Sequence, residues 1–201
     1  MIMNKYHIIL VLAWAVYFFF HSYLATEGVK DYIRHKFKSG YRYYRLFYNL
    51  LASGGLFLIL VLNGAISSPF LLQINRFTSL AGLILATWGF LIIRIAFKTY
   101  NLWDFLGINF RVREEEGLNS GLVTSGIRAY IRHPIYAGTI LMVIGFWVFR
   151  PNLTHLISVL CIFIYLYIGI ALEEKKLIKA FGNDYLEYRK KVPMLIPRIR
   201  F

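Results

Sequence analysis

Five stretches of this chain, residues 6–26, 46–75, 77–97, 135–149 and 153–172, are apolar and almost free of charge. A helix needs about 20 such residues to cross a bilayer core, and most of the five reach that length. A soluble domain has no use for them, because a helix packed on a soluble core needs only one apolar stripe. With 58% hydrophobic and 18% aromatic residues in a chain of 201, the pattern predicts an all-α integral membrane bundle of five transmembrane helices. The expected spans are 6–26, 44–66, 77–97, 133–149 and 153–173, followed by an interfacial tail over 174–201, all within a single domain, 1–201. The first run has no basic stretch before it and no small-x-small cleavage pattern after it, so it reads as a membrane helix rather than a secretory leader.

The formal net charge of +13 points to nucleic acid only if its placement is ignored. Of the 23 Lys and Arg residues, 19 fall on alternate segments: between spans one and two, between spans three and four, and in the tail. The other side carries only Lys5, Arg76 and Arg150, while Arg94 lies within span three. By the positive-inside rule this is a multi-pass protein with its N-terminus outside and its C-terminus cytoplasmic. Basic loops at that surface face anionic lipid headgroups, so membrane lipids account for the charge and no nucleic-acid partner is implied. Cys161 is the only cysteine, which excludes an internal disulfide and a cysteine metal cluster. The five histidines show no ligand spacing with carboxylates, so no metal is expected.

Span four is the short one, with about 15 apolar residues and roughly 22 Å of rise, so its cytoplasmic end is expected to be recessed. Arg150-Pro151-Asn152 makes a tight turn into span five. Beyond that span Leu177, Phe181, Tyr185 and Tyr188 continue one apolar stripe along a charged helix. Gly182 is expected to break it, Asn183 or Asp184 to cap a second short helix, and Val192-Pro193 to end that one. The loop over 99–130, with four glycines, is a candidate lid.

Polar groups gather at the cytoplasmic ends of all five spans: His21 and Ser22, Tyr48 and Asn49, Arg94, Arg132 and His133, and Glu173 and Glu174. Ionisable residues at that depth mark a site by default, the alternative being single interfacial anchors. In Arg132-His133-Pro134-Ile135-Tyr136-Ala137-Gly138, proline presets the first helical turn, whose free N–H groups favour an anion. Glu173 and Glu174 oppose the helix dipole at the end of span five. Adjacent positions point about 100° apart, so at most one faces inward. Either could receive an ammonium group or sugar hydroxyls, or pair with Lys176, Lys179 or Arg132. A haem held by His21 and His133 is the weakest alternative, since no cofactor motif accompanies them.

The segment Arg132-His133-Pro134-x-Tyr136-x-Gly138, followed by Glu173-Glu174, Leu177, Phe181-Gly182, Tyr185, Tyr188 and Val192-Pro193, resembles the isoprenylcysteine carboxyl methyltransferase and phospholipid methyltransferase superfamily. The resemblance covers roughly the C-terminal 80 residues. It implies S-adenosylmethionine as cofactor, with Arg132, His133, Tyr136, Glu173 and Glu174 as its contacts. His21-Ser22-x-x-Ala25, Val29-Lys30, Tyr44-Arg45-Leu46 and Asp104-Phe105-Leu106-Gly107 are similar to the nurim and methanethiol S-methyltransferase branch. That branch implies a small or membrane-dissolved thiol as acceptor, entering from the membrane. The alternatives are a prenylcysteine carboxyl or lipid acceptor, and a non-catalytic nurim-like membrane protein. Arg128 and Ala129 depart from the residues usual before the Arg-His-Pro motif. A thiolate needs a nearby cation or base, and His21 and Arg94 are the expected catalytic residues.

Overall fold

The computed structural model describes residues 4–98, 108 and 121–198. Among them are α1 (Lys5–Leu24), α2 (Glu27–Phe37), α3 (Tyr44–Ala65), α4 (Arg76–Phe97), α5 (Pro134–Phe149) and α6 (Leu153–Lys191). Short 3₁₀ turns, Lys38–Tyr43 and Gly126–Ala129, lead towards α3 and α5. Four helical segments are long and apolar enough to cross a membrane, and α5 is a shorter apolar helix of the kind expected for span four. The fold is an all-α membrane bundle; α1, α3, α4 and α5 have limits within a few residues of the expected spans, whereas α6 runs on past residue 173 to Lys191. Most of the candidate lid over 99–130, including Asp104 to Gly107, lies outside the described residues.

The described residues pack as two compact units. The first holds α1, α2, α3 and the opening turns of α6, and polar side chains meet in its interior. Asn4 caps α1 through a reciprocal box with His7, and His7 Nε2 lies 3.2 Å from Thr154 Oγ1. Trp14 Nε1 donates to Ser158 Oγ at 2.8 Å, and Asn63 Nδ2 reaches the same hydroxyl. His7, Trp14, Asn63, Thr154 and Ser158 are all buried. Without water to satisfy them, such groups bond across helices and fix which faces meet. The turn chemistry after α3 is used as well: Leu153 N–H donates to the Pro69 carbonyl and Thr154 N–H to Ser68 Oγ.

The second unit holds α4, α5 and the rest of α6. Gly82, Ala86 and Gly89 on α4 face Gly138 and Gly145 on α5 so closely that the backbones touch. A Cβ on Gly89 would stand 2.5 Å from the Gly138 carbonyl oxygen, and one on Gly145 would collide with the Ala86 nitrogen. In lipid, where helices gain little from hydrophobic exclusion, this close approach is what dispersion needs to hold two helices together. It also fixes the N-terminus of α5, where the Arg-His-Pro motif sits.

The apolar part of α6, over 153–173, continues as a charged helix until Gly182, whose φ of 53° and ψ of −127° interrupt it. This is the expected glycine break: a residue with a Cβ is strained at that φ. Beyond it Tyr185, Tyr188 and Val192 form a small buried cluster with Leu122, Leu177, Ile178 and Phe181. The chain must bend to do this. Eleven residues of straight helix would hold Glu174 and Tyr185 roughly 16 Å apart, whereas their side chains are 2.7 Å apart.

Candidate functional site

A single buried carboxylate organises the second unit. Glu174 is 8% exposed, and its Oε1 accepts from Arg132 Nε at 3.0 Å, His133 Nε2 at 2.8 Å and the Tyr185 hydroxyl at 2.7 Å. Arg189 Nε approaches Oε2 at 3.3 Å. Charge-assisted bonds of this kind are the strong ones, and losing one partner would leave a buried charge uncompensated. Burial alone would raise the Glu174 carboxyl, but hydrogen bonds from His133, Tyr185 and Arg132 hold it below the ordinary carboxyl value. Burial, and the carboxylate it serves, push the Tyr185 phenol well above its ordinary value, so it stays a donor.

Arg132 ties the knot to the chain beyond the break. Its Nη1 donates to the Arg189 and Val192 carbonyls at 3.1 and 2.6 Å. The backbone N–H groups of Arg132 and His133 donate to the Pro193 and Met194 carbonyls at 2.9 and 3.1 Å. Tyr188 closes the same strap by donating to the Arg128 carbonyl at 2.6 Å.

Glu173 has a different environment. Its side chain is 43% exposed against 10% for Glu174, and its Oε2 is 3.7 Å from His133 Nδ1, beyond hydrogen-bond reach. A carboxylate can only accept, so His133 carries a proton on Nε2 where it meets Glu174, and Nδ1 is the atom turned towards Glu173. His133, which precedes Pro134, makes no side-chain cap hydrogen bond to α5, and the positive end of a helix favours an anion. The Tyr136 ring meets the His133 ring edge-on at 5.6 Å between centroids. Its hydroxyl lies 3.4 Å from where a Gly169 Cβ would be. Arg132, His133, Tyr136, Glu173 and Glu174 are therefore gathered where the start of α5 meets the middle of α6.

The phospholipid methyltransferase family model matches residues 77–184, more than half of the chain. The chain belongs to that family. It is 34% identical over 140 residues to the methanethiol S-methyltransferase of Crocosphaera subtropica, covering 65% of this chain and 53% of that protein. With methanethiol S-methyltransferase 1 of Bradyrhizobium diazoefficiens it shares 44% identity over 70 residues, which is 34% of this chain and 23% of that one. With the protein-S-isoprenylcysteine O-methyltransferase of Xenopus laevis it shares 36% over 135 residues, 66% of this chain and 44% of that one. The chain thus spans about half or less of the length of these curated relatives. No solved structure matches it.

The family match stops one residue before Tyr185. Tyr185 and Arg189 are the members of the knot that sequence reasoning missed as site residues. Tyr185 read only as a stripe position, and Arg189 as one of many tail cations; the signal was the Gly182 break, which turns the stripe back on Glu174.

His21 and Arg94 belong to different units. The His21 ring stacks on Tyr17 at 5.6 Å, and the Tyr48 hydroxyl lies 3.2 Å from its ring nitrogens. The bare backbone at Gly55 makes room for the Tyr17 ring. Arg94 is exposed in the last turn of α4.

Proposed function

We propose that this protein transfers the methyl group of S-adenosylmethionine to a small or membrane-dissolved thiol. The observation that carries the reading is the division between the two carboxylates: Glu174 is fully engaged in holding the strap, which leaves Glu173 half-exposed beside the start of α5. That donor set fits the amino-acid end of the cofactor. The helix start takes its carboxylate and Glu173 its ammonium group, with His133 and Tyr136 lining the same end. Arg132 and Glu174 act by position, because their polar atoms are already committed to each other and to the strap. When bound, the cofactor supplies an electrophilic methyl on a sulfonium, so the protein's work is alignment and exclusion of water.

The nucleophile sets the remaining requirement. A thiol reacts as its thiolate, which a cation or base favours, and His21 and Arg94 are the residues we assign to that task. A second reading, methylation of a prenylcysteine carboxyl, draws support from the match to isoprenylcysteine O-methyltransferases over 66% of this chain. The placement of basic residues supports an outside N-terminus and a cytoplasmic C-terminus, so that the charged cofactor arrives from the cytoplasm and the apolar acceptor from the membrane.

The test is a methylation screen with the purified protein in nanodiscs, radiolabelled S-adenosylmethionine, and small thiols set against prenylcysteine, lipid amine and fatty acid acceptors. Label in a thioether product supports the main reading, and label in a methyl ester supports the second. Cofactor binding without transfer to any acceptor class would point to the non-catalytic alternative.

A further inference from the structure

The segment joining α1 to α3 is mostly exposed among the described residues. Both flanking helices are of membrane-crossing character, so Ala25 to Tyr43 must emerge on one face of the bilayer. No residue of α2 is buried, and Val29 and Ile33, one turn apart, are only half-buried. Tyr32 and Phe37 are 62% and 57% exposed. Aromatic side chains in that position belong at the level of the headgroups, where ring and polar edge are both accommodated.

The charge on this segment is one-sided. Its two acidic residues are neutralised locally, Glu27 by Lys30 at 2.7 Å and Asp31 by Arg34 at 3.1 Å. Lys36, Lys38, Arg42 and Arg45 are exposed, and none forms an ion pair among the described residues. Rings hold three of the segment's cations in place. Arg34 lies over Tyr41 at 4.9 Å, Lys36 over Tyr32 and Phe37 at 5.5 and 5.8 Å, and Arg42 over Tyr43 at 4.7 Å. Lys38 has φ 40° and ψ −108°, a backbone region where glycine would be the unstrained choice. A charged residue kept in strained geometry is a sign that the charge is used.

We propose that the surface from Glu27 to Arg45 binds anionic phospholipid headgroups in preference to zwitterionic ones, with Lys36, Lys38, Arg42 and Arg45 meeting the phosphates and the aromatic rings seated at the acyl boundary. The occupant is the leaflet itself, since only a membrane lies level with the ends of two spanning helices and matches the uncompensated positive charge. This rests on the membrane fold and not on methyl transfer, so either reading can fail alone.

The test uses full-length protein in phosphatidylcholine vesicles containing a trace of spin-labelled phosphatidylglycerol or spin-labelled phosphatidylcholine, with the motionally restricted fraction read by electron spin resonance. The anionic probe should associate ~3-fold or more strongly than the zwitterionic one, and the contrast should collapse in molar salt. Combining Lys36→Gln, Lys38→Gln, Arg42→Gln and Arg45→Gln should erase the preference, whereas Lys175→Gln, Lys176→Gln and Lys179→Gln together should keep it. Lys38→Gly removes a charge while relieving the backbone, so it should fold at least as well as the parent and lose part of the contrast between the two probes. Equal association of both probes with the parent overturns the proposal, as does full contrast in the folded quadruple variant. If that variant does not fold, an unchanged contrast in Lys38→Gly overturns it.

Discussion

Tyr185 donates to Glu174 Oε1 at 2.7 Å across the helix break at Gly182. That bond joins Glu174 to a tail beyond the family match. It also separates two carboxylates that are neighbours in sequence: one is bonded from three sides and the other faces outward.

The first prediction follows from that separation. Glu173→Gln should weaken S-adenosylmethionine binding by roughly 10- to 150-fold, the equivalent of one charge-assisted hydrogen bond, while leaving the thermal midpoint unchanged. Glu174→Gln should instead lower the midpoint, because Arg132 and Arg189 lose the anion between them. Tyr185→Phe should resemble Glu174→Gln in direction and be smaller in size. Calorimetry with the cofactor and thermal unfolding in detergent measure both sides. Equal loss of binding in Glu173→Gln and Glu174→Gln, with stability intact, would return both carboxylates to the cofactor.

Acid should undo the knot from the same atom. The Glu174 carboxyl is held below its ordinary value of 4.5 in the folded protein, so below that value the unfolded chain binds more protons than the folded one. The stability it contributes is complete above about pH 4.5 and is lost as pH falls through the lower folded value. Thermal midpoints measured between neutral and acid pH should drop for the parent and change less for Glu174→Gln. Parallel profiles would show that another group governs acid unfolding.

The glycine contacts between α4 and α5 carry a prediction whose sign reverses with position. Gly145→Ala places a methyl group against the Ala86 nitrogen and the Gly82 carbonyl, and an overpacked contact of this kind costs about 1–3 kcal/mol. Gly54→Ala on α3 meets nothing within 4 Å. Its gain in helix propensity is roughly 0.5–1 kcal/mol, so it should be neutral or stabilising. A thermal-shift comparison of the two variants decides this, and equal midpoints would mean that the helices can part without cost.

The spans were legible because lipid demands long apolar helices, and no packing detail can override that requirement. The short fourth span and the break at Gly182 were legible for equally local reasons. Which carboxylate turns inward was not, because the choice depends on Arg132, just before α5, and on Tyr185 and Arg189, beyond the Gly182 break, converging from two separate segments. The polar contacts of His7, Asn63, Thr154 and Ser158 were equally hidden. Nothing in their spacing distinguishes a hydroxyl that bonds across helices from one that bonds back to its own helix.

The last prediction concerns the acceptor. His21 is held by Tyr17 on one side of its ring and by the Tyr48 hydroxyl at 3.2 Å, and Arg94 is an exposed cation at the end of α4. If they serve the nucleophile, His21→Ala and Arg94→Ala should lower turnover and leave S-adenosylmethionine affinity nearly unchanged, the reverse of Glu173→Gln. Tyr48→Phe should reproduce part of the His21 effect, since it frees the imidazole that the phenol orients. For a thiol acceptor the deficit of His21→Ala should shrink as pH rises towards the thiol's own pKa, because the thiolate then forms without help. A deficit independent of pH would leave His21 a structural histidine, and loss of cofactor affinity in all three variants would show that they belong to one site with Glu173.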